Sequence, residues 1–209
     1  MTLDINHYNA LFLDNPGQND ATKYGVKMHR FIDTALPHFR CIGVHHLTPG
    51  ENAGKHHVFL DVLNEQGQRM HQAQIEWTWQ GRRLEEPAPP VTIDKPDTEP
   101  GTNIPINWAQ TITLSILNQR SDAVTNLHTR HSDESSPDAE NGTVPAPGGN
   151  TRGHHSFYVV FQHQSGDGAP TPPPAPGCEE LLIRIAELAA TLDVTVAKLQ
   201  EIISIIQEA

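Results

Sequence analysis

Thirteen histidines stand in a chain with only 14 lysines and arginines, and eight of them fall in four clusters: His45 with His46, His56 with His57, His128 with His131, and His154 with His155. Neutral imidazole is the commonest side-chain ligand for zinc and copper, so such clusters raise the question of a metal centre. Two residues separate His128 from His131, as in many loop ligand sets, and the carboxylates Asp133 and Glu134 follow. Adjacent residues on a strand face opposite ways, so each neighbouring pair can give one ring to a shared centre. The metal reading draws on His128, His131, His46 and His155, with zinc or copper as the ion. Against it, the chain has no HExxH and no cysteine-rich ligand set. The competing reading is structural: a neutral ring offers one donor and one acceptor, enough to lock a strand connection to loop backbone. Proton transfer is a third use.

Hydrolysis needs an activated nucleophile or a carboxylate pair in defined geometry. Ser156 beside His155, and Asp133 beside Glu134, supply these on paper, but no GxSxG or comparable motif surrounds them. The expectation is a protein that is not an enzyme. A metal-dependent hydrolase or oxidoreductase working through the clustered histidines is the alternative. The tryptophans suggest recognition instead. Trp77 and Trp79 share one strand face among apolar neighbours and are expected in the core, whereas Trp108 follows a loop and is the candidate for stacking on a sugar ring. Asp133 and Glu134 are its candidate polar partners.

These residues need elements to position them. The first forty residues are turn-rich and carry a weak periodic signal, which predicts an N-terminal arm or first strand. From residue 41 the pattern is one of short strands. Residues 57–63 alternate and run into Asn64, Glu65, Gln66 and Gly67, a hairpin connection. Residues 74–79 place Ile75, Trp77 and Trp79 on one face, and residues 111–117 turn Ile112, Leu114 and Ile116 inward. Residues 156–161 are apolar on both faces, the mark of a central strand. Strands with Pro and Gly punctuation and no helical pattern between them predict an all-β antiparallel β-sandwich, immunoglobulin-like or jelly-roll-like, over residues 41–164. Within it, residues 132–152 are too polar to order themselves and read as a long flexible loop, carrying the glycosylation pattern Asn141-Gly-Thr143. Cys41 lies beside Ile42 and Val44 and reads as a small core residue.

Residues 165–177 form a Pro-rich linker of semi-stiff polyproline type, about 3 Å per residue. Residues 178–209 then read as a coiled-coil α-helix of roughly 45 Å. Leu182, Ala189, Val196 and Ile203 take heptad position a, and Ile185, Leu192, Leu199 and Ile206 take d. The residues just before each a, Leu181, Leu188, Thr195 and Ile202, add a second row, which widens the stripe beyond a two-stranded seam and predicts a homo-oligomer of three or more chains. Cys178, at the mouth of this helix, is placed where copies would meet, as an interchain disulfide or as a free thiol.

The formal charge of −11 argues against nucleic acid as a partner, because phosphate-backbone affinity rests on clustered cations. The terminal stripe is interrupted by Glu187, Asp193, Lys198 and Glu201, which argues against membrane insertion. The N-terminus lacks the basic-then-apolar pattern of a secretory signal, as in a protein released by lysis or a processed form.

Five motifs recur in one order: His45-His-Leu-Thr-Pro-Gly-Glu-Asn52, Lys55-His-His-Val-Phe-Leu-Asp-Val-Leu63, Asp94-Lys-Pro-Asp-Thr-Glu-Pro100, Leu127-His-Thr-Arg-His-Ser-Asp-Glu134 and Gly153-His-His-Ser-Phe-Tyr-Val-Val-Phe161. Together, over residues 40–163, they resemble an accessory β-sandwich domain of bacterial and phage cell-wall lytic proteins that carry a family 25 (lysozyme-like) glycoside hydrolase domain. The resemblance implies a non-catalytic module, extracellular or in a virion, that recognises glycan or cell wall. It transfers no binding residues. This chain lacks the catalytic domain and has the heptad tail in its place. The expectation is an adhesion, decoration or structural protein that presents the sandwich in several copies, with a cell-surface glycan as partner.

Overall fold

The computed structural model describes residues 3–108, 110–130 and 154–166. The chain divides into two units, residues 1–168 and 169–209; residues 167–209, with all but the first two residues of the linker and the whole heptad tail, lie outside the described residues.

The first unit is built on two five-stranded sheets. In chain order the strands are β1 (Gln18–Asn19), β2 (Lys27–His29), β3 (His38–His46), β4 (His57–Leu63), β5 (Gln74–Trp79), β6 (Val91–Thr92), β7 (Thr102–Pro105), β8 (Ile112–Ile116), β9 (Ala123–Leu127) and β10 (Phe157–Gln164). One sheet runs β1-β3-β10-β4-β7 and the other β2-β9-β8-β5-β6. Inward residues of both, among them Val58, Leu60, Phe157, Val159 and Phe161 from the first and Ile75, Ile112, Leu114 and Val124 from the second, form one buried core. The mostly-β sandwich is as the alternating patterns indicate. Cys41 lies fully buried in that core, and burial, with the Asp122 carboxylate nearby, pushes its thiol up to about 12.

Two features correct the sequence reading. The first sheet is mixed, because β10 runs parallel to β4 and β1 parallel to β3. The first forty residues are also no arm. They form α1 (Ile5–Asp14), capped by Asp4, whose carboxylate accepts from His7 N at 3.0 Å, then a 3-10 turn over Asp20–Tyr24 and the strands that follow. α1 packs Ile5 and Phe12 onto Ile42, Tyr158 and Val160, on the face of the first sheet away from the sandwich core. That explains the two apolar faces of β10: Phe157, Val159 and Phe161 meet the second sheet, and Tyr158 and Val160 meet α1. Gly43 makes room for the helix, since a Cβ there would lie 2.2 Å from the Phe12 ring.

Asp61, on the same outer face and wholly buried, anchors this layer. Tyr158 donates its hydroxyl to Asp61 Oδ2 at 2.6 Å, while Arg69 reaches both carboxylate oxygens, Nε to Oδ1 at 2.6 Å and Nη2 to Oδ2 at 2.9 Å. The guanidinium also donates to the carbonyls of Pro96 and Glu99, each at 2.7 Å. The motif at residues 94–100 is thus a loop wrapped around a buried ion pair whose bonding capacity is filled, as a charge taken out of water requires.

Candidate functional site

Three strand ends of the first sheet meet at one edge. β3 ends at His45 and His46, β4 begins at His57, and β10 begins just after His154 and His155; Phe157 lies opposite both His46 and Val58. The antiparallel β3 and the parallel β4 therefore bring six of the clustered histidines to one end of the sandwich. His128, after β9, joins them through Tyr24, whose carbonyl lies 3.2 Å from His128 Nε2 and whose ring lies 4.4 Å from that of His46. Trp108, 45% exposed, follows β7 at the same end, as Pro105 pairs with His57. Convergence of the clusters is the main thing the fold adds to the sequence.

The alternation of β3 splits the end into two layers. On the outer side, His45 lies between two carboxylates, with Nδ1 2.5 Å from Asp20 Oδ2 and Nε2 3.0 Å from Glu51 Oε2. The Tyr8 ring of α1 stacks on the imidazole at 4.0 Å, and its hydroxyl donates to Glu51 Oε1 at 2.8 Å. Glu51 is held there by the short helix α2 (Pro49–Asn52): its Oε2 accepts from the backbone and hydroxyl of Thr48, at 2.8 and 2.7 Å, in a capping box. Burial opposes charge on His45, but the two carboxylates outweigh it and raise its pKa above 6.5. Burial likewise pushes Glu51 up, and the bonds from Thr48, His45 and Tyr8 overcome it and hold the carboxyl at about 2. Burial and the Glu51 carboxylate raise the Tyr8 phenol. An imidazolium with both nitrogens engaged by carboxylates has no lone pair to accept a proton. This assembly fixes structure, and the motif at residues 45–52 is its local code.

On the inner side, His46 Nε2 and His155 Nδ1 lie 2.8 Å apart, with their rings stacked at 5.1 Å. Two imidazole nitrogens on one tetrahedral zinc stand about 3.3 Å apart, given Zn–N bonds of about 2.05 Å. The contact here is a hydrogen bond between rings. Among the described residues no group of three or more His, Cys, Asp or Glu side chains is disposed to hold a metal ion. Of the expected ligands, the structure thus joins His46 to His155, places His128 on the Tyr24 carbonyl, and has His131 outside the described residues. Asp133 and Glu134 also lie outside them.

Ser156 is fully buried, and its hydroxyl accepts from His57 N at 3.0 Å, so it is a strand staple. No family model, curated protein or solved structure matches the chain.

A run of aromatic and basic groups that the sequence reading passed over lies beside the saturated cluster. The rings of His56 and His57 stack at 5.2 Å, His57 stacks on Phe59 at 5.6 Å, and His154 meets His56 edge-on at 5.9 Å. The Lys55 ammonium lies 5.6 Å over the Phe59 ring. The signal was legible in Lys55-His-His-Val-Phe59, where alternation puts His57 and Phe59 on one face. Beside Tyr8 and Glu51 of the His45 assembly, an open groove of about 690 Å³ lies between the start of α1, Glu51 and Thr98. The remaining tryptophans serve the second sheet: Trp77 packs on the core and donates to Pro89 O at 2.9 Å, with Trp79 5.4 Å away.

Proposed function

We propose that the chain is a non-catalytic recognition protein, which offers the histidine end of its sandwich to a cell-surface glycan and presents it in several copies through the C-terminal heptads. The observation that carries this reading is the state of His45. The most strongly engaged imidazole of the end has Asp20 and Glu51 on its two nitrogens, so the element best placed for general-base chemistry is committed to holding the surface together. What faces outward is aromatic and half-exposed: Trp108, His56, His57 and Phe59. Flat rings beside an open polar groove suit a sugar, whose apolar face stacks while its hydroxyls bond.

The resemblance of residues 40–163 to accessory sandwich domains of cell-wall lytic proteins supports the same reading. So do the heptads, because linking weak sites multiplies their strength. An extracellular or virion setting follows from such a role. The test is a glycan array probed with the whole chain, read for binding and for released product. Binding without product is expected. Product release, or stoichiometric zinc or copper in protein purified without chelators, would favour the hydrolase or oxidoreductase reading instead.

A further inference from the structure

The outer face of the first sheet carries a basic corner on an otherwise acidic protein. Lys55 stands over Phe59. On the neighbouring strand Asn103 pairs with Phe59, and Lys95 reaches in from its own loop to Asn103 Oδ1 at 2.5 Å. Among the described residues neither ammonium meets a carboxylate, although the chain has 25 acidic side chains to 14 lysines and arginines. Three of the described arginines are treated differently: Arg30 pairs with Asp122, Arg69 with Asp61, and Arg83 with Glu85 and Glu86.

His57, two residues before Phe59 on the same strand face, feels the charge of both lysines. Its Nδ1 is buried and meets no hydrogen-bond partner. An orphaned donor costs more than an orphaned acceptor, so the ring carries its proton on Nε2, at the accessible edge. Burial and the charges of His56, Lys55 and Lys95 lower its pKa from 6.5, which favours the neutral ring. The groove is bounded by Glu51 of α2, which precedes the loop of Lys55, and by Thr98 of the loop that carries Lys95.

We propose that Lys55, His57, Phe59 and Lys95 form a subsite for an acidic sugar. The pyranose face stacks on the Phe59 and His57 rings, and the sugar's carboxylate or phosphate sits between the two ammonium groups and accepts from His57 Nε2. Two cations without a carboxylate partner among the described residues, beside an aromatic face, select such a ligand over a neutral one. The proposal rests on the glycan-recognition reading and names the class of glycan.

The test measures calorimetric binding of three probes to the whole chain: tetragalacturonate, phosphomannan (a pyranose phosphodiester) and maltotetraose. At low salt, one or both acidic probes should bind at least about tenfold more tightly than the neutral one, and weaken as salt rises. The arm that binds tells carboxylate from phosphodiester. The double variant Lys55→Gln, Lys95→Gln should lose about tenfold for the acidic probe while keeping the wild-type melting temperature, since Lys55 is exposed and Lys95 only half-buried. Maltotetraose binding as tightly as the better acidic probe would overturn the acidic subsite and leave glycan recognition standing, as would an acidic affinity untouched by the double variant. Silence of all three probes would also overturn the subsite; glycan recognition itself fails only if a broad array is blank as well.

Discussion

Each ring nitrogen of His45 faces a carboxylate, one 25 residues before it and one six residues after. The near partner was readable in outline, because Thr48 and Glu51 are spaced as a capping box. The far one was not, since nothing in the sequence ties Asp20 to β3 until the parallel β1–β3 pairing sets them side by side. The electrostatics predict a pH dependence whose sign follows from the shifts. His45 has a folded pKa above 6.5, so its contribution is complete below 6.5 and is lost as pH rises through the raised value. Glu51, held at about 2 against an ordinary 4.5, contributes above 4.5 and loses that contribution as pH falls toward 2. His57 and His128 run the other way, because their lowered pKa values withdraw stability as pH falls through 6.5. A melt of the whole chain mixes these, whereas the difference between wild type and His45→Gln isolates one. The variant should be less stable by about 1.5–3 kcal/mol near pH 6, as for hydrogen bonds to charged groups, and by less near pH 9. Urea titrations at the two pH values check this; an equal deficit at both would mean that the ring is not charged in the fold.

Among the elements, α1 is where sequence and structure part. Its apolar residues Ile5, Tyr8, Leu11 and Phe12 have helical spacing, but Asn and His interrupt them, and an isolated helix of 10 residues is marginal in water. Its stability comes from the outer face of the first sheet, a partner assembled from β3, β4 and β10 that no local window contains. The strands were more legible, because alternation is local: Ile75 and Trp77 do face the core, and the apolar run of β10 is central. Their pairing was less so, since β10 joins β4 in parallel across nearly a hundred residues. The same long-range pairing gathers the histidines, whose clusters were visible in the sequence while their convergence was not. The docking of α1 is testable at Gly43. Gly43→Ala forces a methyl into the Phe12 ring and should cost about 1–3 kcal/mol, while Phe12→Ala, which empties a buried site, should cost about 3–5 kcal/mol. Urea unfolding of both variants measures this. Losses under 0.5 kcal/mol in both would show that the helix does not depend on this contact.

At the scale of the whole molecule, the proposal joins a recognition surface to a multiplying tail. The surface offers Trp108, the His56–His57–Phe59 stack and two lysines that meet no carboxylate among the described residues. Such shallow sites bind weakly one at a time. In the proposed function, the apolar heptads from Leu182 to Ile206 would supply several copies, and the Pro-rich residues before them would supply reach. Light scattering on the whole chain should therefore give a mass of three or more times 23.1 kDa at micromolar concentration, and a monomer would remove the tail from the account. The most direct test of the joined claim is a glycan array probed in parallel with the whole chain and with residues 1–168, the compact unit that carries the surface. Both should mark the same glycans, with the whole chain retained on the order of a hundredfold more strongly at high ligand density. A blank array for both forms, or equal retention of the two, would contradict the account.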